Sequence, residues 1–246
     1  MAIIDRNSNL SQRVTQELGK SIVCGNYTVG GGLPTEADLC AEFGVSRSAV
    51  REAVKMLSAK GLISSRPRQG IRILPEEKWN IFDPDLLRWL LERSPTLKVV
   101  QEFLQLRITI EPEAASLAAR YADEKEIDAI AESLERMKAS SASMEQMLEA
   151  DIAFHVSILY ASKNRFYIRL RNFVKTALNV SIRYTSTIKA DREGVIADHT
   201  KVFKAIKNRN PERAKNAMLV IIDEALTFIE DAMAHPERYQ DTVQDS

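Results

Sequence analysis

Gly44 lies between two short stretches that each carry the marks of a helix, and this arrangement constrains the chain more than any other feature. Downstream, Ser46 is a good N-cap, because its hydroxyl can accept a bond from a free N–H of the first helical turn. The residues after it separate into two faces. Val50, Val54 and Leu57 recur at helical spacing on one, and Arg47, Arg51 and Lys55 recur on another. Upstream, Thr35 caps a stretch in which Leu39, Cys40 and Phe43 face inward. Gly44 can take the left-handed conformation that ends this first helix. The plan is helix, tight turn, helix. A short second helix that is apolar below and cationic above can enter a DNA major groove.

A basic stripe by itself is most often a solvated face, so the flanks decide. Gly61 can stop the second helix. Residues 62–65 and 71–74 then read as two short strands joined by the basic turn Arg66-Pro67-Arg68-Gln69-Gly70. This hairpin is a wing, able to reach phosphates or the minor groove. Lys55 on the helix and Arg66, Arg68 and Gln69 on the wing are therefore candidate DNA contacts. Residues 10–24 supply a first helix with Val14, Leu18, Ile22 and Val23 on one stripe, and Gly30-Gly31-Gly32 reads as a flexible loop.

These pieces resemble the winged-helix domain of the GntR family of bacterial transcription regulators. The resemblance spans residues 10–74. It is carried by Leu33-Pro34-Thr35-Glu36, Phe43-Gly44-Val45-Ser46-Arg47, Val50-Arg51-Glu52-Ala53, Leu57-Ser58-Ala59-Lys60-Gly61-Leu62-Ile63 and Gly70. It implies that Arg47, Arg51, Ser46, Ser48 and Gly70 approach DNA. Many members carry Arg after the Glu of the Leu-Pro-x-Glu motif, where it often contacts the DNA backbone; here that position is Ala37, a departure from the pattern, and the resemblance does not carry that contact over.

The remainder of the chain reads as helical throughout. Asp83 caps a connecting helix with Pro84 at its first position, where a missing N–H costs nothing. Val99, Phe103, Leu106, Ile110, Ala114 and Leu117 trace a long apolar stripe that Pro112 is expected to kink. Further helices are expected at 123–139, 144–161, 165–187, 194–208 and 211–233. The expected fold is mostly α: a winged helix-turn-helix of three helices and a small β-hairpin, then an all-α bundle of six or seven helices. Its expected parts are a DNA-binding domain at 1–75, a linker and connecting helix at 76–93, an effector-binding domain at 94–235 and a flexible tail at 236–246. An all-helical domain behind this winged helix is similar to the FadR subfamily with its FCD-type domain. That likeness rests on Arg107-x-x-x-Glu111-Pro112-x-x-Ala115, Asp151-Ile152-Ala153-Phe154-His155, Ser162-Lys163-Asn164 and His199-x-x-x-x-x-Ile206. It implies a bundle around a ligand cavity.

Asp151 and His155 are one turn apart, and His199 opens another helix. A carboxylate and two imidazoles suit a divalent metal, Zn²⁺ above others, although such a pair taken alone is ordinarily a surface or capping pair. The resemblance turns these three residues toward the cavity as candidate metal and effector ligands. Metal-binding members supply a further His where this chain has Ile221, which leaves three protein ligands. Arg107 lies in an apolar stripe, and a buried arginine must be paired. Either Glu111 one turn away pairs it, or its fork grips a ligand carboxylate; the resemblance favours the second. Arg183 and Thr185 are added as candidate effector contacts. No organic cofactor is implied.

The net charge is zero over 246 residues, which argues against indiscriminate coating of nucleic acid. Residues 1–78 hold eleven Lys and Arg against eight Asp and Glu, a net of +3. So few contacts would hold a monomer weakly, so the expectation is a homodimer on palindromic half-sites of double-stranded DNA. No apolar run reaches the length of about 18 residues that spans a membrane. Charge at Asp5 and Arg6 replaces the apolar core of a signal peptide, so a cytoplasmic protein is expected. The main reading is a regulator, most naturally a repressor and not an enzyme, answering to a small carboxylate such as a sugar acid or hydroxy acid. The alternatives are a metal-dependent hydrolase built on Asp151, His155 and His199, and a structural DNA-binding protein without effector.

Overall fold

The computed structural model describes residues 6–66, 69–92, 97–139, 143–186 and 192–238. The chain forms two compact units, Met1–Ser94 and Pro95–Ser246.

The first unit is built from α1 (Arg6–Val23), α2 (Glu36–Phe43), α3 (Arg47–Ala59), β1 (Ile63–Arg66), β2 (Gly70–Ile73) and α4 (Pro84–Glu92). Thr35 begins α2 with a reciprocal capping box: its hydroxyl accepts from Asp38 N–H, and Asp38 Oδ2 accepts from Thr35 N–H at 3.1 Å. Gly44 ends α2 at φ 62°, as the turn requires. Ser46 Oγ caps α3 by accepting from Ala49 N–H at 3.3 Å. The buried face of α3 is Ala49, Val50, Ala53, Val54 and Leu57. Val50, Ala53, Val54 and Leu57 share a core with Val14, Leu18, Ile22 and Val23 of α1, Leu39 of α2, and Ile63, Ile71 and Ile73 of the hairpin.

Two local expectations are corrected. The strands sit one residue away from their expected bounds, pairing antiparallel as Ile63↔Ile73 through Arg66↔Gly70. The Gly30-Gly31-Gly32 segment is an ordered neighbour of β2 and not a flexible loop. Gly30 N–H donates to Ile73 O at 3.0 Å, Ile73 N–H donates to Gly31 O at 3.0 Å, and Gly32 bridges Arg72. β2 had an open edge whose backbone groups needed partners, and a glycine run can lie flat along one.

Helix α4 packs on α1 within this first unit. Asp83 caps it, accepting from Asp85 and Leu86 N–H at 3.0 and 3.1 Å. Trp89 lies against Gly19 so closely that a Cβ there would collide with its indole ring. Lys60, just past α3, donates to Asp83 at 2.7 Å and to Asp85 at 2.9 Å, and stands 5.6 Å from the centre of the Trp89 ring.

The second unit contains α5 (Leu97–Tyr121), α6 (Glu124–Ala139), α7 (Met144–Ala161), α8 (Arg165–Ser186), α9 (Arg192–Lys207) and α10 (Pro211–Ala234). Helix α5 is central and packs against α7, α8, α9 and α10. It runs as one helix through Pro112. Apolar side chains fill the bundle, among them Leu104, Ile130, Leu134, Phe154, Val202 and Ile222. The exceptions are few, and most of them gather at one place.

Candidate functional site

The α3 surface is laid out as its periodicity dictates. With one face buried, Ser46, Arg47, Ser48, Arg51 and Lys55 are all exposed. Ser46 and Ser48 hydroxyls lie 2.9 Å apart, so the cap also ties down the start of the helix. Arg51 Nε donates to Glu36 Oε2 of α2 at 2.9 Å. Lys55 reaches Glu52 in its own helix at 3.5 Å. On the wing, Arg66, Gln69 and Gly70 are exposed, and Gly70 takes φ 73°, a conformation that favours glycine. Arg68 lies outside the described residues. Arg72 on β2 is exposed beside them and donates to Gly30 O at 3.3 Å.

The second assembly is buried in the helical unit. Arg107 and Glu111 come from α5, Asp151 and His155 from α7, and His199 from α9. Asp151, His155 and His199 bring one ligand atom each within 4.8 Å of one another. Both imidazoles present Nε2 to the same oxygen, Asp151 Oδ1, at 3.2 Å from His155 and 2.9 Å from His199. Their other nitrogens are held from behind. His155 Nδ1 is 2.5 Å from Glu111 Oε2, and His199 Nδ1 is 2.7 Å from Val195 O. This orients both rings in the way that outer partners orient metal-ligating histidines.

Arg107 is buried, and its pairing is the local one. Nε donates to Glu111 Oε1 at 2.6 Å and Nη2 to Oε2 at 3.2 Å. Nη2 also lies 3.4 Å from each ring nitrogen of His155. The electrostatics follow from this crowding. Burial disfavours the Glu111 carboxylate, but Arg107 and His155 outweigh it and hold the group at about 2. Burial likewise opposes the Asp151 charge, and His199 and His155 overcome it, keeping that carboxyl well below its usual range. For His155, burial pulls downward, while Glu111 and Asp151 push the imidazole up to about 9.

Two expected effector residues, Arg183 and Thr185, belong to α8, and their side chains lie outside the described ones. Ile221 on α10 is half-buried and offers no donor. The sequence reading missed three roles. Glu36 pairs with Arg51 across fifteen residues, and no local periodicity connects them. Glu111 was visible as a partner for Arg107, but its hold on His155 joins two helices. Lys60 was read only as part of the Leu57–Ile63 motif and is a buried tie.

The chain's known relatives agree with this architecture. The family described as bacterial regulatory proteins, gntR family, matches residues 10–73, and the FCD domain family matches residues 102–224. The galactonate operon transcriptional repressor of Escherichia coli K12 is 31% identical over 215 residues, covering 87% of this chain and 94% of its own.

The chain belongs to the gntR family of bacterial regulatory proteins.

Another relative, the uncharacterized HTH-type transcriptional regulator YieP of Escherichia coli K12, is 34% identical over 216 residues, with 87% and 93% covered. Two solved structures share the fold: Escherichia coli McbR/YncC (TM-score 0.52, 18% identity, 91% of this chain and 98% of that one) and Listeria monocytogenes Lar (TM-score 0.56, 20% identity, 90% and 96%). As a gntR-family protein the chain is a DNA-binding transcriptional regulator of operators, with an FCD domain behind its winged helix. It is not an enzyme, so the hydrolase alternative falls. No helix among the described residues is long and apolar enough to cross a membrane.

Proposed function

We propose that this regulator is a homodimeric repressor whose hold on palindromic operator half-sites is released or retuned by a small carboxylate, a sugar acid or hydroxy acid, bound in the helical unit. The DNA-facing residues are Ser46, Arg47, Ser48, Arg51 and Lys55 of α3, with Arg66, Arg68, Gln69 and Gly70 of the wing. The observation that carries the effector reading is the buried cluster of Arg107, Glu111, Asp151, His155 and His199 inside an apolar bundle. Burying so many ionisable groups is costly for stability alone, and replacing such networks by apolar residues is often neutral or better. A ligand site explains the expense.

The donor set fits a divalent ion. Ligand atoms around a shared ion at bond lengths of about 2.0–2.1 Å lie roughly 3.3 Å apart in tetrahedral geometry. The Nε2 to Asp151 Oδ1 separations of 3.2 and 2.9 Å are close to that. Asp151, His155 and His199 would hold the ion, Zn²⁺ first. When bound, it supplies a Lewis-acidic position open to a ligand oxygen. Holding the ion through Nε2 requires both imidazoles to be neutral, so His155 gives up the proton that Glu111 and Asp151 favour on it; one guanidinium and the divalent ion then stand against two carboxylates, a surplus of one positive charge suited to a single carboxylate. Arg107 would share its fork with that carboxylate, with Arg183 and Thr185 as further contacts. The galactonate repressor's name makes galactonate the first sugar acid to try.

A thermal-shift screen of sugar acids and hydroxy acids, with metal content measured on the same sample, tests the effector. A specific ligand raises the melting temperature; no response to any acid, with and without Zn²⁺, would sink the reading. For the DNA face, Arg51→Ala is expected to abolish selective operator binding while leaving the fold and acid binding intact. Unchanged operator affinity in a mobility-shift titration would count against α3 as the reader.

A further inference from the structure

We infer that Glu36 is a positioning residue for DNA selectivity: it holds the Arg51 guanidinium by Nε, sets its terminal nitrogens for base reading, and penalises duplexes that offer only phosphates. This rests on the proposal that Arg51 meets bases.

The first turn of α2 carries two carboxylates, Glu36 and Asp38. They are used differently. Asp38 is spent on its own helix, accepting from Thr35 N–H at 3.1 Å and from the Thr35 hydroxyl at 2.6 Å. Glu36 takes no part in that cap and crosses to α3, where its Oε2 accepts from Arg51 Nε at 2.9 Å. The side chains are 37% and 64% exposed. An exposed pair of this kind adds next to nothing to folding, and α2 already has its cap, so the pair is not explained by stability.

The atom used matters. Guanine is read by two donors of one arginine reaching O6 and N7. A bond through Nε leaves both terminal nitrogens for such a fork, and fixing the side chain beforehand removes ordering entropy from the binding step. The charge matters as well. An arginine tied to a carboxylate cannot swing to the nearest phosphate without giving up its partner, and Glu36 itself is repelled by the duplex backbone. Contact with the correct base offsets these costs; phosphate contact alone does not. Glu36 therefore favours the correct site at the expense of all others.

The test uses the full chain. A preferred duplex is selected from a randomised pool by the wild-type protein, and a scrambled duplex of the same length and composition serves as the competitor. Affinities for both are measured by fluorescence anisotropy at one salt concentration. Glu36→Gln is expected to weaken the preferred duplex by about two- to fivefold and to tighten the scrambled duplex by about threefold, as loss of one negative charge near phosphates should. A merely structural role would weaken both together. An unchanged ratio, or a parallel loss on both duplexes, overturns the inference. In an Arg51→Ala background, Glu36→Gln should cause no further loss on the preferred duplex; a further loss also overturns it. Arg51→Ala alone separates the two layers. If it leaves selectivity intact, the reading of α3 fails. If it removes selectivity while Glu36→Gln changes nothing, only the role of Glu36 fails.

Discussion

Glu111 serves two partners with one carboxylate, and that division sets what its removal should do. Oε1 and Oε2 both receive Arg107, and Oε2 also meets His155 Nδ1. With the Arg107 and Glu111 side chains 5% and 2% exposed, truncating the acid leaves a guanidinium buried without its counter-charge. Glu111→Ala is expected to cost about 3–5 kcal/mol, read as a lower urea midpoint for the helical unit. The double variant Arg107→Met with Glu111→Leu removes both charges and should recover most of that loss. If the single variant were as stable as the wild type, the pair would be ornamental. The same carboxylate orients a candidate metal ligand, so Glu111→Gln should lower Zn²⁺ affinity by about 10–100-fold in a chelator competition. Part of this was legible beforehand: a buried-looking arginine with a glutamate one turn on, and Asp-x-x-x-His on one face. The hold of Glu111 on His155 was not, because it depends on how closely α5 and α7 approach, and spacing within one helix carries no such information.

At the level of elements, local chemistry was a good guide wherever a boundary had a local cause. Ser46, Thr35 and Asp83 begin helices because their side chains satisfy orphan N–H groups, and Gly44 ends one because it tolerates a positive φ. The glycine run before β2 failed as a flexible loop because its order comes from a strand edge forty residues away. The connecting helix shows the same limit. Its cap and periodicity could be read, but its fastening to Lys60 could not. Burial disfavours the Lys60 ammonium, and bonds to Asp83 and Asp85 outweigh this, raising it above its ordinary value of 10.5. A raised lysine contributes fully below its unfolded value and loses that contribution only as pH climbs past it. Lys60→Met should therefore destabilise the first unit by about 2 kcal/mol, and the gap in melting temperature from wild type should stay flat between about pH 6 and pH 9. A gap that closed within that range would mean that the tie is not ionic.

Across the whole molecule, the two units hold features of opposite character: an exposed cationic face on α3 and a buried cluster of ionisable groups, the proposed effector site. Neither site can affect the other unless ligand binding distinguishes between arrangements of the protein that differ in operator affinity. That requirement has a quantitative consequence. If the acid retained in the thermal-shift screen changes operator affinity by some factor, the operator must change affinity for that acid by the same factor. Couplings of this sort are typically about 1–3 kcal/mol, or roughly 5–150-fold. Calorimetric titration of the acid into free protein and into the protein–operator complex should therefore reproduce the factor seen in mobility shifts with and without the acid. His155→Ala, which removes a proposed effector ligand from the helical unit, should bring both factors to unity together while basal operator affinity is retained. Two unequal factors would mean that the acid acts on something other than this equilibrium, and a retained factor in His155→Ala would place the effector elsewhere in the helical unit.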